Sequence, residues 1–566
     1  MAEPTRDPVF SLSDDFVDAY SKLSPISASM AGVPGVFDGW DDYSPKGGEA
    51  AYDVFEGYRQ KLEALPPAAD AWGRLARRVL ADFLAEKQAY YRHADNLCDI
   101  NNIESPVQHL RVVFDVMDTS TKDGWKAAAT RLRTIDEPIR SYLGALEEGA
   151  KRNIVAAKRQ VSAVLAQAKN NASEATSYRE VLVAYDAANV GDPNLRAELE
   201  KGVAHAAKAC GTLALGLERY LERATPKDAF GAERYARASR RFNGMDIDPH
   251  ETYAWGFREI ESIESAMREI VARIAPGQSL AAAIQALQSA PDQVVESNDA
   301  FLGMMRDRQQ RALTELHGTH FDVPEPIRRL DVRLAPAGGA LGAYYIPPNE
   351  GFTRPGTVYY APAPGHKFTL FSEITTAYHE GFPGHHLQCG LQVYLAERLS
   401  RLHRLFVVCS GYAEGWALYA EQLMEELGYF DKPEYVLGMH MAKLFRAIRV
   451  AVDIGMHLEL PIPKTFDFHP GEVWDFDKCV EILTTRGFIP TEFAKSEATR
   501  YLGWPGQAIS YKVGERVILE LRKEMQQKLG ARFDLRAFHD TVLGSGSVGL
   551  EHLQEIVRET LLPQTP

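Results

Sequence analysis

TTAYHEGFPGHHLQ, residues Thr375 to Gln388, gathers three histidines and a carboxylate into a short run of a 566-residue chain that holds 16 histidines in all. His379-Glu380 with further histidines close behind has the ingredients of the H-E-x-x-H helix, in which two imidazoles hold zinc and the glutamate works as base. The spacing differs. Position i+4 from His379 is Pro383, and the available imidazoles are His385 at i+6 and His386 at i+7. On an unbroken helix, i+7 returns to the starting face about 10 Å further along the axis, and i+6 points about 120° away. Neither can share an ion with His379 through bonds of about 2 Å. Pro383-Gly384 argues against an unbroken helix, because proline lacks the amide donor and clashes with the preceding turn, while glycine admits positive φ. The stretch reads as a zinc-binding helix expanded by two residues, with a bend that swings His385 or His386 back toward His379.

Length allows two to four domains or one large helical body. The composition, 45% apolar and 25% charged, is that of a soluble globular protein. A net charge of -14 disfavours nucleic acid or an anionic membrane as partner. Cys98, Cys210, Cys389, Cys409 and Cys479 are scattered and odd in number, the pattern of reduced, mostly buried thiols rather than a disulfide framework. The opening MAEPTRDPVF has neither the basic nor the apolar region of a secretory leader. No run approaches the roughly 18 apolar residues of a membrane span. The expectation is a soluble cytoplasmic protein.

Upstream of the motif the texture is helical: Asp14 to about Asn101, Gly124–Gly149, Arg152–Lys169 and Asn194–Thr225. A further helix begins at Asp248-Pro249-His250-Glu251, with Asp as N-cap and Pro in the first turn, and its stripe Tyr253, Gly256, Ile260, Ile263, Met267, Ile270, Ile274 buries one face. From Val323 to Pro362 the chain turns rich in Pro, Gly and Tyr, and Arg329–Ala335, Gly342–Ile346 and Thr357–Ala361 read as short strands. Such a strand beside a cleft can pair with an extended peptide, or simply cap helices. Downstream, helices are expected near Gln388–Leu402, over Tyr412–Leu427 and Tyr435–Leu460, and from Val513 onward, with Glu497–Glu515 as a turn region. No repeat or linker interrupts the chain. The expected organisation is one continuous helical fold over 1–566 in two lobes: 1–320 mainly scaffold, and 321–566 the small sheet with the metal-site helices.

Zinc hydrolysis needs three protein ligands, an open position and a base. His379 and a second histidine supply two ligands, and Glu380 is placed as the base. Glu414 is the best third ligand: it opens a new helix and is flanked by Gly411 and Gly415, which suit a close helix crossing. A carboxylate there also suits the helix dipole without any metal. Arg446, Arg449, Asp453 and His457 form a polar stripe at spacings of 3, 4 and 4 along an apolar helix. That pattern suits a buried ion network, with Asp453 pairing Arg449 or His457, set to orient ligands or to receive a substrate carboxylate. In Arg500-Tyr501 … Gln507 … Tyr511-Lys512, a tyrosine hydroxyl (Tyr501 or Tyr511) can stabilise an oxyanion, while Arg500, Gln507 and Lys512 suit a carboxylate or a peptide backbone.

H-E-G-F-P-G-H-H-L-Q, Glu414 to Glu421, Arg446–His457 with its D-x-G-x-H ending, and Arg500-Tyr501 … Pro505-Gly506-Gln507-Ala508 … Ser510-Tyr511-Lys512 together resemble the bacterial domain-of-unknown-function 885 family. That family is similar to helical gluzincin peptidases, alongside angiotensin-converting enzyme and thimet oligopeptidase. The resemblance implies a mostly α-helical, two-lobed body with a deep cleft and a small antiparallel sheet beside the metal. It also implies His379, His385 and Glu414 as ligands of one Zn2+ and Glu380 as base, with His386 the alternative ligand.

The function expected is zinc-dependent hydrolysis of short peptides, of carboxypeptidase or dipeptidase type. Two other expectations share the same residues: a metal-dependent amidase or esterase acting on a small non-peptide molecule, and a non-catalytic peptide-binding protein.

Overall fold

The computed structural model describes residues 6–68, 70–174, 176–335, 342–361 and 367–562, and over these the chain is mostly helical. Residues 1–5, part of the stretch read for a leader, and Pro362, read as the end of the β region, lie outside the described residues. Two compact units result: Met1–Asp228 with Ala396–Val407, and Ala229–Leu395 with Val408–Pro566.

In the first unit the spine is Pro193–Leu221. Asp192 caps it by accepting from the amides of Asn194 and Leu195, and proline occupies the first turn. Its buried stripe, including Leu195, Leu199, Val203, Ala206, Leu213 and Leu217, packs on the helices Lys122–Thr134, Asp136–Lys151 and Lys158–Asn171. The expected helix near Gln388–Leu402 is instead two, His385–Tyr394 and Arg401–Phe406. The chain crosses into the first unit at Ala396 and leaves it at Val407, and Leu402 is buried there against the cluster around Phe16 and Leu80.

The second unit holds every element of the motif region. Its helix Pro249–Ile274 starts as the sequence predicts, with the Asp248 side chain accepting from the amides of His250 and Glu251, and packs along Pro433–Leu458. Residues 229–320, read as part of the scaffold lobe, thus belong to the same compact unit as the motif.

Three strands fall close to the expected places, β2 (Leu330–Leu334), β3 (Gly342–Ile346) and β4 (Gly356–Ala361), and two short ones outside the expected region were not foreseen, β1 (Val294–Val295) and β5 (Phe368–Thr369). The main sheet has the order β2-β4-β3 and is mixed, which corrects the expectation of an antiparallel one. β3 and β4 are antiparallel, with Tyr344 opposite Tyr359, whereas β2 and β4 run parallel, with Val332 opposite Val358. Two chain reversals between β2 and β4 restore the original direction, and β4 inserts between its predecessors. β1 and β5 form a separate antiparallel pair.

β5 leads straight into the motif helix, Leu370–Glu380. Ser410–Glu426 carries Glu414, Pro433–Leu458 carries the arginines, and Ser510–Leu529 carries Tyr511. The expected turn region is shorter than read: Thr491–Gly503 is helical, and the turn is confined to 504–509. Glycine sets the crossing of Ser410–Glu426 over Ser510–Leu529. A Cβ on Gly415 would stand 2.4 Å from the Gly514 carbonyl carbon, and one on Gly514 would stand 1.8 Å from the Gly411 oxygen. Among the described residues no helix is long and apolar enough to cross a membrane.

Candidate metal centre

The motif helix ends at Glu380, and a new helix begins at His385. Between them the chain folds back on the last helical turn, where a Cβ on Gly384 would meet the His379 carbonyl oxygen at 2.0 Å. Gln309 accepts from the Phe382 amide at 2.9 Å, and the Trp416 indole donates to the Pro383 carbonyl at 2.9 Å. The Phe382–Pro383 bond is cis. This clamped turn brings the His385 ring edge-on to His379, with centroids 4.9 Å apart.

Glu414 completes the cluster. Its Oε2 lies 3.3 Å from His379 Nε2 and 3.5 Å from His385 Nε2, and one ligand atom from each of the three residues falls within 4.8 Å of the others. That oxygen is buried and makes no hydrogen bond. Two imidazoles and a carboxylate, converging on a buried and unsatisfied oxygen, fit a zinc ion with an open fourth position. On the far side of His379, Nδ1 meets Glu421 Oε1 at 2.7 Å, and Thr375 donates to the other Glu421 oxygen. A carboxylate at Nδ1 fixes the tautomer that leaves Nε2 free to bind an ion. Burial alone lowers the His379 pKa, but Glu414, Glu421 and Glu380 overcome it and raise it to about 9. Burial raises Glu414, and the two imidazoles outweigh that and hold it well below the usual carboxylate range.

Glu380, next to His379 in the chain, is 9% exposed and has no hydrogen bond or ion pair among the described residues. His386 faces elsewhere. Its Nδ1 accepts from the Tyr345 hydroxyl at 3.0 Å, and its Nε2 donates to the Ile327 carbonyl at 2.6 Å. Burial, partly offset by that bond to Ile327, lowers its pKa to about 4. Of the two alternatives, His385 is the one gathered with His379 and Glu414.

Tyr511 stacks on His379 with centroids 6.4 Å apart, and its hydroxyl makes no hydrogen bond among the described residues. Burial and the nearby Glu414 charge raise its pKa to about 12. The Tyr501 hydroxyl, by contrast, donates to Glu497 at 2.8 Å and accepts from Arg449 Nε at 3.0 Å. Arg500 is spent on Glu497 and Gln507, and Gln507 also donates to Ser410. Lys512 pairs with Glu259 and Glu515. His457 bonds to the Tyr501 carbonyl, with Asp453 3.8 Å away, and Asp453 accepts from the Tyr235 hydroxyl and the Gly506 amide. Arg500 and Ser410, through Gln507, and Asp453, through the Gly506 amide, tie the 504–507 turn to the neighbouring helices.

The sequence reading passed over Glu421, Thr375, Glu497 and Gln309 as site residues. Glu421 was within reach, because it lies seven residues beyond Glu414 and so on the same helix face. Gln309 was not, since nothing local links it to a turn over seventy residues away.

Residues 25–557 match the family described as "Bacterial protein of unknown function (DUF885)". The chain belongs to the DUF885 family. Two solved structures share the fold across nearly the whole of this DUF885 chain. One is described as "the putative lipoprotein from Colwellia psychrerythraea", with 23% identity, 98% coverage of both chains and a TM-score of 0.85. The other, "a putative lipoprotein of unknown function from Shewanella oneidensis", has 18% identity, coverage of 97% of this chain and 99% of that one, and a TM-score of 0.71. No curated protein matches the chain.

Proposed function

We propose that this DUF885 chain is a zinc-dependent hydrolase of short peptides. The observation that carries the reading is the convergence of His379, His385 and Glu414 with an unsatisfied carboxylate oxygen between two imidazoles. A zinc ion bound there supplies a Lewis acid that lowers the pKa of water and polarises a carbonyl. Glu380, unpaired beside the cluster, takes the proton from the attacking water and returns it to the leaving amine. The free Tyr511 hydroxyl donates to the carbonyl oxygen as it becomes negative. Glu421 holds His379 in the right tautomer throughout. Part of the same proposal is the gluzincin-type two-lobed body, whose deep cleft admits peptides and excludes folded proteins.

The test pairs metal content with turnover. Wild type is expected to bind one zinc per chain and to cleave short peptides. His379→Ala loses the metal, and Glu380→Gln keeps it but loses hydrolysis by at least ~100-fold. Glu380→Gln turning over at the wild-type rate overturns the base assignment. Cleavage of small amides or esters but of no peptide moves the substrate to the non-peptide class, and peptide binding without zinc or turnover supports a binding protein. For the compartment we keep a soluble cytoplasmic protein, and recovery in the membrane fraction overturns it.

A further inference from the structure

Of the cationic groups around the cluster, most are already committed. Arg500 gives Nε and Nη2 to Glu497 and Nη1 to Gln507. Lys512 is held by Glu515 and Glu259, and Lys443 by Glu515 and Gln422. Arg446 is the exception. It has no hydrogen bond among the described residues, its Nε is buried without a partner, and its nearest carboxylate, Glu421, stands off at 4.0 Å. Its neighbour one turn along, Arg449, is 7% exposed; Nε and Nη2 are bonded to Tyr501 and Glu497, and Nη1 is left unpartnered. A guanidinium cannot shed its charge, so unbonded N–H groups at such depth call for an acceptor.

Glu421 accounts for part of this, since Arg446 helps keep it ionised. It does not account for the geometry. Glu421 already receives His379 Nδ1 and Thr375, and at 4.0 Å it forms no hydrogen bond to Arg446. Arg446 keeps 16% side-chain exposure, so it remains accessible where Arg449 is closed in. Its position is close to the chemistry: Arg446 faces Glu421, which bonds His379, while the Arg449 guanidinium lies 4.6 Å over the Tyr511 ring stacked on that same histidine. The group that fits is a carboxylate, which takes two parallel N–H bonds from one guanidinium. Glu380, Glu414 and Glu421 crowd the same region and disfavour a more highly charged anion.

Resting on the hydrolase reading above, we infer that Arg446 receives the free α-carboxylate of the substrate, with Arg449 behind it. The chain is then an exopeptidase that cuts at the C-terminal end.

The experiment measures binding first, so that it does not depend on turnover. In the zinc-loaded Glu380→Gln protein, calorimetry compares N-acetyl-Gly-Phe-Ala, its C-terminal amide, and N-acetyl-Gly-Phe-Asp amide. The free acid is expected to bind at least ~30-fold tighter than its amide, in line with a charge-assisted bidentate pair. Adding Arg446→Gln brings acid and amide within about threefold of each other without weakening the amide, and Arg446→Lys restores part of the preference. Equal binding of acid and amide overturns the inference, and so does an equal loss for both in Arg446→Gln, which would mark a role confined to Glu421. Should Arg446→Gln fail to fold, the acid-to-amide ratio in the parent protein still decides. If the Asp amide binds like the free acid, the subsite reads an acidic side chain and the exopeptidase assignment falls. Cleavage of acid and amide alike by wild type would keep the hydrolase and remove the carboxylate subsite; carboxylate-selective binding without cleavage would do the reverse.

Discussion

Glu421 contacts three groups that matter to the cluster: the His379 imidazole, the Thr375 hydroxyl and, at longer range, Arg446. Replacing its carboxylate with an amide keeps the shape but permits the amide to flip and donate to His379, losing the tautomer preference. Glu421→Gln is therefore expected to weaken zinc binding by about 10- to 100-fold, as for other groups that orient metal ligands. His386→Ala is the contrast within the same measurement. It removes hydrogen bonds to Tyr345 and Ile327 and lowers stability, yet keeps one zinc per chain. Zinc titration against a competing chelator reads both, and loss of zinc from His386→Ala would exchange the roles of the two histidines.

The bend at Pro383-Gly384 shows where reading by element succeeds and where it stops. Proline and glycine announce a break from the sequence alone, because each acts on its own backbone. The direction taken after the break depends on distant groups, Gln309 and the Trp416 indole, so spacing left His385 and His386 undivided and only the family resemblance favoured His385. Gly411 and Gly415 behave like the proline: small residues imply close approach, and the crossing is there. Their partner Gly514 could not be named, since periodicity reveals a buried face but not what covers it. The two crossing helices carry Glu414 and Tyr511, and the Glu414 charge is felt at Tyr511, so the spacing bears on the cluster. Gly514→Ala places a methyl 1.8 Å from the Gly411 oxygen, where no side chain can yield. The expected cost is about 3 kcal/mol or more, with weakened zinc binding as the helices part. Gly303→Ala, a helical glycine with nothing within 4 Å of its added Cβ, is expected to stabilise by about 0.5 to 1 kcal/mol. Chemical denaturation with a zinc assay compares the two, and a neutral Gly514→Ala would show that the crossing has room to spare.

At the scale of the whole chain, the helical character was legible from periodicity and the sheet from its Tyr- and Gly-rich strands, but the partition was not. Helices on either side of Asp228 carry the same kind of amphipathic stripe, and the return of Ala396–Val407 to the first unit has no local signature. The partition matters for the proposed metal binding, because His379, His385, Glu414, Glu421, Arg446 and Tyr511 all belong to the second unit. A ligand stabilises the state that binds it, by about 2.7 kcal/mol when present at 100 times its Kd. Only openings that dismantle the site are suppressed by that amount. Zinc is thus expected to slow amide hydrogen exchange up to ~100-fold in Leu370–Glu380, His385–Tyr394 and Ser410–Glu426, while Pro193–Leu221 exchanges as it does in chelator. Exchange measured with and without zinc checks this. Equal slowing in Pro193–Leu221 would mean that the two units open together, and the metal would then stabilise the whole chain through a site built by one of them.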